Sequence, residues 1–209
     1  MNLLELVREH GHIANFVYAS SSSVYGGSKK TLFSETDIVD SPVSQYAATK
    51  KMCELLAHTY HHLYKLNVTG LRFFTVYGPS GRPDMAAFKF IDAIANGRTI
   101  DRYGDGSSER DWTYVGDIVD GILRALDRPM GCEVFNLGNG NPVKLSDFIS
   151  EVEAQLGVRA SIRELPEQPG DVPRTAADVS KARRLLGYNP QISLKEGLRR
   201  TIAWYRSCQ

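Results

Sequence analysis

The chain has 209 residues, of which 42% are hydrophobic and 23% charged, with a formal net charge of +1. That apolar content supports a packed core and excludes wholesale disorder, and the near-neutral balance lacks the basic excess of a nucleic-acid-binding surface. No apolar run approaches the ~18–20 residues of a membrane span. Cys53, Cys132 and Cys208 are scattered, odd in number and without C-x-x-C spacing, so neither a disulfide framework nor a zinc site is indicated. Residues 1–10 carry acids and no small-residue cleavage site, unlike a secretory signal. A soluble protein of the cytoplasm is expected.

Leu3, Leu4, Leu6 and Val7 follow helical spacing and stop before Gly11. Residues 15–19 (NFVYA) read as a short buried strand, broken by the serine run at 20–23. Residues 44–66 contain neither Gly nor Pro and predict a long helix, after which 67–74 (NVTGLRFF) predict the next strand. Helix, strand, helix and strand in this order imply a parallel α/β sheet. Beyond Gly78-Pro79 the pattern predicts helices over 85–95, 115–126, 145–156, 180–186 and 194–205, and strands over 99–103, 134–137 and 158–165. No repeat or long linker interrupts them. The expected division is a sheet domain over 1–79 and a smaller lobe over 80–209, with segments around 111–137 returning to the sheet.

A dinucleotide fold cradles phosphate with a glycine-rich turn between strand and helix, where backbone N–H groups meet the pyrophosphate. The chain has no G-x-G-x-x-G. Gly104-Asp105-Gly106 and Gly138-Asn139-Gly140 supply only G-x-G, past the middle of the chain, and read as ordinary turns.

Tyr46 and Lys50 stand at i and i+4 of the long helix, on one face about a turn apart. A free phenol, with a pKa near ~10, is too weak a base for neutral pH, but a neighbouring ammonium favours the phenolate. Upstream, the serine run lies at the C-terminal end of a strand, where open α/β sheets bind their ligands. The alternative reading of Tyr46 and Lys50 is a solvated helix face.

With these residues in view, Ser20-Ser21-Ser22-Ser23-Val24-Tyr25-Gly26 followed by Tyr46-Ala47-Ala48-Thr49-Lys50 resembles the Ser/Thr–Tyr–Lys triad of extended short-chain dehydrogenases/reductases. More narrowly, the chain resembles the NAD-dependent sugar-nucleotide epimerase/dehydratase family. Further matches run in order through Leu71-Arg72-Phe73-Phe74-Thr75-Val76-Tyr77-Gly78-Pro79, Arg110-Asp111-Trp112-Thr113-Tyr114-Val115, Phe135-Asn136-Leu137-Gly138 and Pro169-Gly170-Asp171-Val172. The resemblance covers essentially the whole chain but not the family's N-terminal part with its glycine-rich NAD loop. It implies the C-terminal part of a Rossmann-like parallel sheet plus a smaller α/β substrate-binding lobe.

Within the family, Gly81-Arg82-Pro83-Asp84-Met85-Ala86 is similar to the UDP-glucuronate 4-epimerase branch, where the arginine at the Arg82 position lies at the substrate pocket as the natural partner for a carboxylate; the alternative reading is a surface-loop arginine. The dehydratase branch places Asp-Glu after the triad hydroxyl. Here Ser22 and Ser23 occupy those positions and cannot supply that acid. The resemblance implies a redox-neutral 4-epimerisation with NAD as cofactor: Tyr46 as proton acceptor, Ser21 as hydrogen-bond partner of the sugar oxygen, and Lys50 lowering the phenol and holding the nicotinamide ribose. Tyr46, Lys50 and Phe73 are the implied cofactor contacts. Ser22, Ser23, Thr75, Arg82, Tyr103, Arg110 and Asp171 are the implied contacts to a UDP-sugar, Tyr103 against the uracil and Arg110 on the diphosphate. Tyr103 reads equally as a strand core residue. A homodimer is the implied assembly. Two other readings stay open: a non-catalytic remnant that keeps the sugar-nucleotide lobe, and an epimerase of neutral UDP-hexoses such as UDP-glucose.

Overall fold

In the computed structural model, which describes residues 2–28, 30–167 and 172–209, the serine run ends the first strand of a parallel sheet. Helix α1 (Asn2–His10) leads into β1 (Phe16–Ser21) and a 3-10 turn (Ser22–Tyr25). Helix α2 (Gln45–Tyr64) begins where the Ser44 hydroxyl accepts from the Ala47 N–H at 3.1 Å, satisfying a donor that no turn precedes. It ends at Lys65, which turns left-handed. The strands β2 (Val68–Phe73) and β7 (Cys132–Leu137) complete a three-stranded sheet of order β1-β2-β7, parallel throughout.

Alternation sorts the side chains of this sheet between two helix layers. Phe16, Tyr18 and Val68 pack with Ala57 and Tyr60 of α2. Val17, Leu71 and Phe135 pack with Ile118 and Ala125 of α4 (Val115–Leu126). A sheet covered on both faces buries successive residues whichever side they point to, and residues 68–72 are all buried. Tyr18 lies across Gly70, where a Cβ would meet the phenol oxygen at 2.6 Å.

The remaining elements build a second core. Strand β3 (Thr75–Tyr77) pairs with β6 (Trp112–Tyr114), β4 (Ile100–Tyr103) with β9 (Ile162–Leu165), and the short β5 (Glu109–Arg110) with β8 (Val143–Lys144). Helices α3 (Ala86–Ala95), α5 (Leu145–Leu156) and α7 (Leu194–Ser207) bury Ile91, Ile94, Phe148, Val152, Leu198 and Ile202 around Trp112, whose ring stacks on Phe148 at 4.0 Å. Helix α6 (Ser180–Leu186) belongs to the first core instead, through Ala182 and Leu186, with Ala177, Val179 and Tyr188 flanking it.

The strand expected over 158–165 begins only at Ile162. Gly157 turns left-handed, and Val158 N–H and Ala160 N–H donate back to the carbonyl and carboxylate of Glu153, which holds this stretch against α5. No helix among the described residues is long and apolar enough to cross a membrane.

Candidate active site

The last residues of the three parallel strands share one register row, Ser21 beside Phe73 beside Leu137. This is the edge at which open α/β sheets take ligands. Ser21 Oγ accepts from Ser23 N–H at 3.1 Å, which leaves its own proton available to donate. The Ser23 hydroxyl is buried and has no protein partner.

Helix α2 packs against β1 and the 3-10 turn, and so brings Tyr46 and Lys50 to the same strand end. Lys50 Nζ donates to the Ala19 carbonyl at 3.0 Å and lies 5.6 Å from the centre of the Tyr46 ring. Tyr46 is 56% exposed, so its phenol reaches open space rather than a core. Arg82, on the loop after β3, is near enough that Tyr46 contributes to holding its guanidinium proton, after the larger effect of Asp84. Its fork is engaged by the Asp84 carboxylate, Nε to Oδ1 at 3.0 Å, and the pair is solvent-exposed.

Asp84 in turn lines a cavity of about 480 Å³ between α3 and β4, together with Phe88, Arg98, Asp101 and Tyr103. Tyr103 also lines a second cavity of about 190 Å³ with Ser107, Ser108, Glu167 and Pro173. It is 40% exposed, so this side chain is not a strand core residue. Thr75 opens β3, separated from the end of β2 by one residue, and is anchored by its N–H to the Asp111 carbonyl at 3.1 Å. Arg110 donates to the Glu109 carbonyl at 3.0 Å; the Glu109 carboxylate faces Arg174. Asp171 lies outside the described residues.

The G-x-G turns are structural. Asn139 N–H and Gly140 N–H donate to the two oxygens of Asp111 at 2.7 and 3.0 Å, and Asp105 accepts from Ser107 N–H at 2.8 Å. Asp111 also accepts from Ala177 N–H and Thr113 Oγ1. Burial pushes its carboxyl up even so, against those donors.

Sequence reasoning missed the polar network under the site. Arg72 of β2 clasps Glu54 of α2 through Nε and Nη2, both at 2.8 Å, and donates through Nη1 to the Tyr25 hydroxyl at 3.0 Å. Ser20 Oγ donates to Glu54 at 2.7 Å, and Tyr25 to Asn136 Oδ1 at 2.7 Å. All five residues are buried. Burial works against both charges, but the paired hydrogen bonds win: the Glu54 carboxyl is held below the usual carboxylate range and the Arg72 pKa is raised. Burial also pushes the Tyr25 phenol up to about 12, against Arg72. The available signal was an arginine and an asparagine inside otherwise apolar strands, and an acid one turn beyond Lys50.

A parallel sheet wound between helix layers, with hydroxyl, phenol and ammonium groups gathered at its C-terminal edge, defines a Rossmann-like protein. Residues 1–201 match the family described as GDP-mannose 4,6 dehydratase, and the chain belongs to that family of NAD-dependent sugar-nucleotide epimerases and dehydratases. It is 54% identical over 205 residues to an uncharacterized protein of Methanocaldococcus jannaschii, covering 98% of this chain and 63% of that one. It is 47% identical over 205 residues to a UDP-glucuronate 4-epimerase of Thermodesulfobacterium geofontis, covering 98% and 62%. The crystal structure of UDP-glucuronic acid 4-epimerase from Bacillus cereus, in complex with UDP-glucuronic acid and NAD, superposes with a TM-score of 0.91 at 36% identity, covering 99% of this chain and 66% of that one. The chain thus spans a little under two thirds of the length of these relatives.

Proposed function

We propose that this chain carries the proton-transfer and sugar-binding residues of an NAD-dependent UDP-sugar 4-epimerase, and that the sugar is glucuronate, converted to galacturonate through a 4-keto form. The observation that carries the reading is the strand-end cluster: Lys50 tied to the Ala19 carbonyl of β1 beside an exposed Tyr46 ring, with the Ser21 hydroxyl two strand positions on. These groups suit the nicotinamide end of the cofactor, with Lys50 as donor to a ribose hydroxyl and Phe73 as the apolar neighbour at the end of β2. Bound there, NAD would supply a reversible hydride acceptor for C4 of the sugar.

Tyr46, as phenolate, takes the proton of the 4-hydroxyl and later gives it back. Lys50 places its ammonium beside that ring. Ser21 donates to the same sugar oxygen, where negative charge develops during the transfer. Ser22 and Ser23 follow on the 3-10 turn, and the buried, unpartnered Ser23 hydroxyl is suited to a ligand oxygen. Neither can act as the acid that loss of water requires, which supports epimerisation over dehydration.

Arg82 is paired with Asp84, Asp84 and Tyr103 line one cavity and Tyr103 lines the next, which supports a nucleotide-sugar lying along them. Thr75, Arg110 and Asp171 are assigned to the same ligand by the family's motifs. Arg82 is the planar partner for a sugar carboxylate, for which the substrate displaces Asp84. A homodimer is the proposed assembly: exposed Leu3 and Leu6 on α1, and Met52 and Leu55 on α2, form apolar surface that a second copy covers.

The test is Tyr46→Phe in a full-length background that carries a glycine-rich loop, with product followed by chromatography. The loss falls on kcat, by about 10²–10⁴-fold, with KM little changed. Near-normal turnover in this variant removes Tyr46 from the role of base.

A further inference from the structure

We propose that Glu54 and Arg72 are positioning residues for Tyr46 and Lys50, their buried ion pair setting where α2 stands along the end of β1. The inference rests on the roles given to Tyr46 and Lys50 above.

Helix α2 presents little shape to the sheet. Its buried side chains are Ala47, Glu54, Ala57 and Tyr60, and two of these are alanines. Small apolar contacts attract without fixing position along the helix axis, because dispersion and the hydrophobic effect carry little direction. A bidentate guanidinium–carboxylate pair is directional. Here it is doubled by Ser20, whose hydroxyl reaches the same carboxylate oxygen that Arg72 Nε holds. Ser20, Arg72 and Asn136 form one register row across the three strands, immediately below the row of Ser21. The clamp therefore references α2 to the strand positions that precede the site. Tyr46, Lys50 and Glu54 are spaced by four, on one face, with Glu54 about 12 Å down the helix from Tyr46.

Stability alone does not account for this arrangement. Desolvating two charges offsets most of their attraction, and an apolar pair of similar volume holds a helix at least as firmly. The network also reaches further than α2 needs. Asn136 donates to the carbonyls of Phe33 and Asp178 and receives Tyr25, so the segment following residue 171 is tied to the same row. A slip of about 1 Å at a reacting group costs on the order of 10²-fold in rate. The clamp prevents that slip.

The test compares wild type, Glu54→Gln and the paired Glu54→Leu/Arg72→Met in the full-length background, by kcat and KM, thermal unfolding and amide hydrogen exchange. Glu54→Gln is expected to lower kcat by about 10–10²-fold with KM nearly unchanged. The paired apolar variant is expected to recover thermal stability and not turnover, with the amides of residues 47–51 exchanging faster than in wild type while those of β2 do not. Recovery of turnover together with stability, or wild-type exchange at 47–51 in both variants, overturns the proposal. Absence of turnover in wild type defeats the epimerase reading alone, and the exchange comparison still decides whether the pair sets the helix.

Discussion

Asp111 offers a quantitative test of how the two cores are joined. It is fully buried, each carboxylate oxygen accepts two hydrogen bonds, and the donors come from β6, the turn after β7 and the segment before α6. In Asp111→Asn one oxygen becomes a donor. The least costly orientation sets the new NH2 against Thr113, whose hydroxyl can turn to accept, leaving Asn139 N–H without its acceptor. That bond is only part-buried, so its loss is set at the low end of the ~1–3 kcal/mol for an unsatisfied donor. The remaining bonds lose their charge assistance, while removal of a buried charge returns desolvation energy, as the raised carboxyl of Asp111 indicates. The net expectation is a loss of about 2 kcal/mol for Asn, and about 3–5 kcal/mol for Ala, which strands three N–H groups. Urea unfolding reads the midpoint shift, and thermal unfolding should fall by about 4–8 °C for Asn. Because the folded carboxyl lies above its free value, this group's contribution in wild type is full below the free value and falls as pH rises through the folded one; Asn abolishes that slope. Equal stability of wild type and Asn, or equal losses for Asn and Ala, would refute the reasoning.

Glu54 has the opposite sign: its folded carboxyl lies below the free value of 4.5, so its contribution is full above that pH and is lost as pH falls through the folded value. Acid unfolding followed by circular dichroism should therefore be less steep in Glu54→Gln. Arg82→Ala should lower kcat/KM for UDP-glucuronate by roughly tenfold and leave UDP-glucose nearly unaffected, the modest size reflecting an exposed guanidinium that already has Asp84; equal losses for both sugars count against the carboxylate role. Among the described residues strand β1 pairs on one side only, and beside it Leu3, Leu4, Phe16, Tyr18 and Leu56 line an apolar cavity of about 470 Å³. The 209-residue chain should self-associate or bind a hydrophobic dye; a dye-free monomer by analytical ultracentrifugation would contradict this.

Much of this protein is local enough to be legible in its residues. The 3.6-residue period and end signals place α4, α5 and α6 at the bounds their sequences predict, since Gly157 and Gly187 stop two of these helices through their own left-handed backbone. Tyr46 and Lys50 are a helical pair at any i, i+4 spacing, and the serine run marks a strand end by itself. What the sequence could not contain is distance between segments far apart in the chain. The strands β3, β5, β6 and β8 are two or three residues long, too short to carry a period, and exist because a partner strand happens to lie alongside. Arg72 and Asn136 read as polar interruptions of apolar strands until Glu54 and Tyr25 are brought to them across 18 and 111 residues. Asp111 reads as one of two acids flanking Arg110, but packing withdraws it completely and turns it toward backbone amides from two distant segments. A buried charge is tolerated only where its partners converge, and that convergence is a property of the folded chain.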